Sequence, residues 1–176
     1  MPRLIEDGAV AVDRWTLAPD AYSLTDVPEC VPVAVPLALW LAERGVLRAR
    51  GNVGVILAPD DDPSALAEDT ATLPLIAIDF PQFTDGRGYS TARLLRERYR
   101  FEGELRAIGD VLRDQLYLMA ECGFDAFSLR EDRDPADALQ GLQDFAGLYA
   151  ATARTAEPRF RRRQDPPPAA AWYPDL

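Results

Sequence analysis

The sequence contains no histidine and no lysine, so all 19 of its basic residues are arginines. Without histidine, neither a Ser-His-Asp nor a Cys-His catalytic arrangement can form within the chain. Without lysine, a Walker phosphate loop and Schiff-base chemistry are excluded as well. Proton transfer would therefore depend on Asp, Glu, Tyr, Cys or a bound cofactor. Arginine still binds oxyanions through two parallel hydrogen bonds, so small anions remain suitable ligands.

Cysteines and long apolar runs are also scarce. The two cysteines, Cys30 and Cys122, are too few for a disulfide framework or a metal cluster, and we interpret both as small buried residues. We predict no metal site. No apolar run approaches the roughly 20 residues that a bilayer-spanning helix needs, and the first residues lack the features of a signal peptide. We therefore expect a cytoplasmic protein without a membrane partner.

Acidic residues outnumber basic ones, 29 to 19, which gives a formal net charge of −10. A polyanion would be repelled by this charge, so we expect no nucleic-acid partner. A local basic site for a small anion stays compatible with it.

Short apolar runs alternate with helical segments along the chain, and this alternation is typical of parallel strands joined by helices. Four strands are clear, beginning at Val53, Leu75, Leu105 and Asp125, and the run Gly8 to Leu17 alternates like a further strand. Helices are predicted over 35–45, 63–71, 89–100, 111–123 and 135–153.

These elements predict a single α/β domain over residues 1–153. It would have a mainly parallel sheet of about four to six strands flanked by helices, either as an open three-layer sheet or as a partial (β/α) barrel. Residues 154–176 are rich in proline and arginine and lack periodicity, which predicts a flexible or surface-draped tail.

Candidate site residues collect where the predicted parallel strands end, which is the edge at which α/β sheets bind ligands. Asp79 ends one strand, Gly109 and Asp110 end the next, and Arg130 follows the last. The loop from Phe80 to Ser90 belongs to the same edge and is longer than most such connections. The sequence therefore predicts a site at this edge.

The Gly-Arg-Gly turn within that loop would present backbone N–H groups at the start of a helix, with the Arg87 guanidinium beside them. Alternatively, the two glycines only allow a turn with positive φ, and Ser90 caps the helix. The candidate ligand-binding residues are Thr84, Gly86, Arg87, Gly88, Tyr89, Ser90, Arg106 and Arg113.

Carboxylates and further arginines supply the other candidates. Acid–base catalysis would draw on Asp79, Asp85, Asp110 and Asp114, although helix capping and ion pairs explain each of them equally well. Arg93, Arg96 and Arg100 share one face of a predicted helix, which would be either solvated or a docking patch for an acidic partner.

From Gly51 to about Ala150 the chain resembles an uncharacterised bacterial family that is commonly encoded beside sulfite reductase genes. The match is densest in PLIAIDFPQFTDGRGYS, ARLLRERY, GELRAIGDVLRDQL and CGFDAF. That family is labelled a probable oxidoreductase component of sulfite reduction, and it brings no established reaction, cofactor or catalytic residue. The positions that match its signature are Asp79, Phe80, Pro81, Phe83, Thr84, Asp85, Gly86, Arg87, Gly88, Tyr89, Ser90, Arg93, Arg96, Glu104, Arg106, Gly109, Asp110, Arg113, Asp114 and Gln115.

The oxidoreductase label conflicts with the residues, since the chain has no dinucleotide fingerprint, no CxxC pair and no cysteine set for an iron–sulfur cluster. We predict no cofactor, although a noncovalent flavin needs no short motif and stays compatible. The leading interpretation is an accessory or binding protein of assimilatory sulfite reduction that binds a small oxyanion or docks on sulfite reductase. One alternative is an enzyme that uses the Arg/Asp edge on a small phosphorylated or carboxylated metabolite. The other is a purely structural partner of the reductase.

Overall fold

One sheet of eight strands runs through the computed structural model, which describes residues 4–130, 132–144, 151–155, 157, 158 and 161. The strands are β1 (Leu4–Glu6), β2 (Ala9–Ala11), β3 (Thr16–Leu17), β4 (Val33–Pro36), β5 (Val53–Leu57), β6 (Leu75–Phe80), β7 (Glu104–Gly109) and β8 (Ala126–Ser128). Their order across the sheet is β2-β1-β8-β7-β6-β5-β4-β3. Strands β3 to β8 pair in parallel, whereas β1 pairs antiparallel with both β2 and β8.

The predicted sheet of about four to six mainly parallel strands is therefore too small, because the sheet is mixed and has eight strands. Two features account for the difference. Asp7 and Gly8 both have positive φ, 49° and 76°, and form the tight turn that joins β1 to β2 in an antiparallel hairpin, while the predicted strand 8–17 is interrupted at residues 12–15 and gives β2 and β3. Residues 33–36 form the buried strand β4, although residues 35 and 36 were predicted to begin the helix over 35–45.

Five α-helices occur in the described ranges. They are α1 (Leu37–Ala42), α2 (Arg44–Arg50), α3 (Arg87–Glu97), α4 (Leu116–Cys122) and α5 (Pro135–Gln140). Short 3-10 turns at 24–26, 63–66, 113–115 and 141–143 complete the helical structure, and the helix predicted over 63–71 is reduced to one of them. None of these helices combines the length and the apolar character that a membrane crossing requires.

The parallel strands follow one another across the sheet in chain order, from β3 to β8. Since such crossovers are almost always right-handed, consecutive order places the connecting helices on one face of the sheet. The sheet curls into a half-barrel, so the partial barrel is the predicted arrangement that the chain adopts. The helix-covered face carries the main core, in which alternate strand residues such as Val55, Ile78 and Phe127 pack with helix residues such as Trp40 and Leu95.

The opposite, concave face holds a smaller cluster, in which Trp15 and Leu17 pack on residues of the parallel strands. Arg106 lies on this face in β7, with only 1% of its surface exposed, between Ala77 and Ala126 of the neighbouring strands. Its guanidinium donates to Glu104 at 2.7 Å and to Asp13 at 2.8 Å. Arg106 therefore ties the segment after β2 to the concave face of the sheet.

The two cysteines differ in their exposure. Cys30 is exposed and Cys122 is half-buried, so the interpretation of both as buried residues is wrong for Cys30. The boundary at residue 153 and the tail 154–176 stay predictions, since most residues of that segment lie outside the described ranges.

Candidate functional site

The loop after β6, residues 81–86, is held in place at the carboxyl-terminal edge of the parallel strands; we name it the Phe83 loop. The backbone N–H of Phe83 donates to Asp110 Oδ2 at 3.0 Å, and Gln115 Nε2 donates to the Phe83 carbonyl at 2.8 Å. Both main-chain groups of Phe83 are thus bound by side chains from the segment that follows β7. Its ring stays outside these contacts and is 53% exposed.

Asp110 is the hub of these contacts. Its backbone N–H donates to the Phe80 carbonyl at 2.7 Å, and its second carboxylate oxygen accepts from Arg130 at 2.9 Å. Arg130 in turn donates to Asp132 through two nitrogens, at 3.1 and 3.3 Å. The bond from Arg130, followed by that from the Phe83 N–H, holds the pKa of Asp110 below its ordinary value. Asp110 is therefore ionised at neutral pH and serves here to position the loop.

Arg87 is bound by carboxylates of its own chain. It donates to Asp85 from Nε at 3.0 Å and from a terminal nitrogen at 2.6 Å, and its other terminal nitrogen contacts Asp60. The bond from Arg87 lowers the pKa of Asp85. The backbone N–H of Arg87 also donates to Asp85, at 3.1 Å. Asp85 thus occupies the place that the sequence assigned to a bound oxyanion.

Neither glycine of the Gly-Arg-Gly turn adopts a positive φ. Gly86 has a φ of −82° and is the N-cap of α3, so Ser90 lies inside the helix and does not cap it. A Cβ on Gly86 would meet no atom of the protein within 4 Å. Gly88 is buried, and a Cβ there would come within 2.5 Å of the Phe80 ring. Gly88 therefore allows α3 to pack closely on β6.

The other predicted ligand-binding residues are dispersed. Tyr89 is half-buried with its ring edge-on to Phe80 at 5.5 Å, and burial raises its pKa. Thr84 is exposed beside Phe83. Arg106 is not at the strand ends, because it is buried on the concave face with Glu104 and Asp13. Arg113 donates to Asp144 at 3.2 Å and, with Asp114, lines a separate cavity of about 310 Å³.

The three arginines proposed for docking do not share one exposed face. Arg96 is 17% exposed and donates to the carbonyls of Phe101, Gly103 and Gly123 as well as to Asp125 at 2.5 Å. Arg93 is exposed and pairs with Glu97 at 2.7 Å, and Arg100 is exposed with a φ of 55°. Arg96 therefore joins α3 to the starts of β7 and β8, while docking through these arginines stays a prediction.

Asp79 is the one candidate carboxylate at this edge that has no arginine bound to it. It lies on the concave face beside Ile108, since Ile78 and Phe80 on either side of it face the main core. Burial raises its pKa above the ordinary value. Among the described residues, its carboxylate has neither a hydrogen-bond donor nor an ion-pair partner, although its backbone pairs with β7. Gly109 leaves it room, because a Cβ at Gly109 would come within 2.7 Å of Asp79 Oδ1.

We expect Asp79→Asn to stabilise the protein at neutral pH. Because the pKa of Asp79 is raised by burial in the folded state, the wild type loses stability as pH rises from the unfolded pKa, near 4, through the folded one. Below that interval Asp79 is protonated in both states, and the gain from asparagine should shrink. Urea denaturation from about pH 3 to pH 7 measures this, with exposed Asp20→Asn as the control. A gain that does not change with pH would contradict the assignment.

Several residues of this edge were not among the predicted site residues. Asp60 was overlooked, whereas Phe83 and Gln115 were named only as positions of the family signature, without a role. Phe83 carried a further usable signal, since it is a large apolar residue in a loop of polar and turn-forming residues. Asp60 carried none, because its partner Arg87 lies 27 positions away in the sequence. The described part of the chain contains no group of carboxylates or thiols arranged to hold a metal ion.

Comparison with known proteins identifies the family of the chain. A family model described as a bacterial protein of unknown function (DUF934) matches residues 54–160, which is more than half of the sequence. A search of curated proteins finds no significant match. The matched range contains the Phe83 loop together with Asp110, Gln115 and Arg130, and it begins after the β1–β2 hairpin and β4. The chain therefore belongs to this bacterial family, whose function is unknown.

Proposed function

We propose that this protein is an accessory protein of assimilatory sulfite reduction and docks on sulfite reductase through the Phe83 loop. The observation that carries the docking mode is the exposed Phe83 ring on a loop whose main chain is bound on both sides. The identity of the partner comes from the gene neighbourhood that the family resemblance implies.

The physical argument starts from the cost of ordering a loop. Binding through a flexible loop requires that its side chains and backbone be immobilised, which reduces the affinity. The Phe83 loop is already fixed by Asp110 and Gln115, so little of this cost remains. An aromatic residue within a polar surround is the usual composition of a binding hot spot. Two arginines, each bound by two carboxylates, supply the polar surround: Arg87 with Asp85 and Asp60, and Arg130 with Asp110 and Asp132.

The same contacts favour docking over capture of a small oxyanion at Arg87. An incoming sulfite would have to displace Asp85 from two bonds to the guanidinium and one to the backbone N–H. It would also meet the carboxylate of Asp60. The alternative of an enzyme relies on Asp79 alone, because Asp85 and Asp110 are bound to arginines and Asp114 lies at a separate cavity.

Phe83→Ala should weaken binding to sulfite reductase by about 10- to 100-fold, the usual effect of truncating an aromatic hot spot. The measurement is calorimetry or biolayer interferometry with the purified reductase of the same bacterium. Leu118→Ala is the matched control, because Leu118 is a similarly exposed apolar residue, at 46%, on α4. Equal loss of affinity in the two variants, or no binding by the wild type, would refute docking through this loop.

Two further measurements separate the remaining interpretations. Titration with sulfite, sulfate and phosphate should give no binding that depends on Arg87, whereas millimolar binding lost in Arg87→Ala would favour the oxyanion site.

A deletion strain should grow poorly on sulfate and normally on cysteine. Normal growth on sulfate, once redundant genes are removed, would reject the role in sulfite reduction.

A further inference from the structure

Strand β2 forms one edge of the sheet, and no strand of the described residues pairs with its outer side. Its sequence from Gly8 to Val12 contains only glycine, alanine and valine. Val10 is 48% exposed and Val12 is 70% exposed. Edge strands are usually protected by a charge, a proline or a bulge, since their free N–H and C=O groups invite pairing. Between Gly8 and Val12 this edge carries no charge, proline or bulge, so the free groups of this short strand are suited to bind another strand.

The hydrogen-bond pattern identifies the free main-chain groups. The N–H of Asp7 donates to the Asp125 carbonyl next to β8, so alternate residues of β1 face β8 and the others face β2. Those that face β2 are Leu4 and Glu6, which pair with Ala11 and Ala9. Because bonding direction alternates along a strand, the N–H and C=O groups of Val10 and Val12 point away from the sheet.

We propose that this edge binds the same edge of a second copy of the chain, in antiparallel orientation, and forms a homodimer with one continuous sheet. A two-fold axis at Ala11 places Val10 opposite Val12 of the partner subunit and Val12 opposite the partner's Val10. Residues opposite each other in antiparallel strands share a face, so the exposed valines pack together. The same register joins the free N–H and C=O groups of both valines.

The side chains at the two ends of β2 select this register. An axis at Val10 would instead place Val12 opposite Gly8 of the partner subunit, so only one pair of exposed valines would pack across the two strands. With the axis at Ala11, Asp13 lies opposite the partner's Ala9 and Arg14 lies opposite the partner's Gly8. A two-fold pairing also uses both edges completely, so it closes at two copies and does not extend into a filament.

Cysteine cross-linking tests the proposed register. At the axis, the two Ala11 residues form a pair without hydrogen bonds, whose Cα atoms lie about 4.5 Å apart and within disulfide range. In a Cys30→Ser background, which removes the exposed cysteine, Ala11→Cys should oxidise to a covalent dimer. Val10→Cys should not, since it faces Val12 of the partner subunit. Tyr22→Cys, highly exposed and outside the edge, is the control for random collisions.

Light scattering coupled to gel filtration tests the dimer itself. The wild type should be dimeric, Val12→Lys should be monomeric with an unchanged circular dichroism spectrum, and Val46→Lys should stay dimeric because Val46 is exposed on α2. A monomeric wild type overturns the proposal. So does cross-linking that is as efficient through Val10→Cys or Tyr22→Cys as through Ala11→Cys.

Discussion

Asp69→Ala is expected to lower the free energy of unfolding by about 3 kcal/mol, because it removes the acceptor of a buried charged cluster. The Asp69 side chain is fully buried in the loop between β5 and β6. It accepts from the Trp40 indole at 3.0 Å and pairs with Arg44 at 3.2 Å and Arg48 at 3.6 Å. These contacts join α1 and α2 to the loop, and the substitution leaves the indole N–H without its acceptor.

Urea denaturation checks this value against two variants. Glu68→Ala should change stability little, because the Glu68 side chain is 88% exposed and its carboxylate comes no closer than 4.0 Å to the Arg44 guanidinium. Trp40→Phe keeps both ion pairs but removes the indole donor and leaves a cavity in the core, so a loss of more than about 1 kcal/mol is expected. If Asp69→Ala unfolds at the same urea concentration as Glu68→Ala, the cluster does not stabilise the fold.

Gly109→Ala is expected to be comparably damaging, by about 3 kcal/mol, through backbone strain and overlap. Gly109 has a φ of 90°, which residues with a Cβ rarely adopt. A Cβ there would overlap the carbonyl oxygen of Phe80, which is fixed in the paired strand β6. The same carbonyl accepts the N–H of Asp110, so the substitution should also release the Phe83 loop.

Gly86→Ala is the matched control for Gly109→Ala. Gly86 has a negative φ and open space around its Cα, so alanine causes no overlap there and should cost less than about 1 kcal/mol, the part expected from its poorer fit to the N-cap position. Thermal unfolding compares the stability of the two variants, and hydrogen exchange at the Phe83 amide reports on the loop. Equal melting temperatures would show that the Gly109 backbone adapts to a side chain.

The central strands and the residues that meet at their carboxyl-terminal edge could be predicted from the sequence because their signals are local. Strands β5 and β6 are short, largely apolar runs that stop near a proline, and β7 alternates apolar with polar residues and ends at Gly109. Parallel pairing then brings the ends of β6 and β7 and the residues after β8 to one edge, and Arg130 does contact Asp110 there. This much follows from pattern and chain connectivity alone.

The features that were missed either belong to very short elements or depend on contacts between residues that are distant in the sequence. Strand β4 ends at Pro36, which is also the N-cap of α1, so no turn separates strand from helix and the proline indicated only the helix. The Asp7–Gly8 turn is a strong hairpin signal, but the strands beside it have three residues each. Arg96 binds mainly backbone carbonyls, and these acceptors leave no trace in residue types.

The pairing of β1 with β8 has a consequence for synthesis on the ribosome. Leu4 is made early and its partner Ser128 late, and the same holds for Asp13 and Arg106. At about 5–20 residues per second, the first strands wait on the order of ten seconds for their partners. During that time the hairpin has two open edges, and Asp13 lacks its partner Arg106. The nascent chain therefore completes its sheet only after Ser128 has emerged, and before that point a chaperone that binds extended apolar segments would have access.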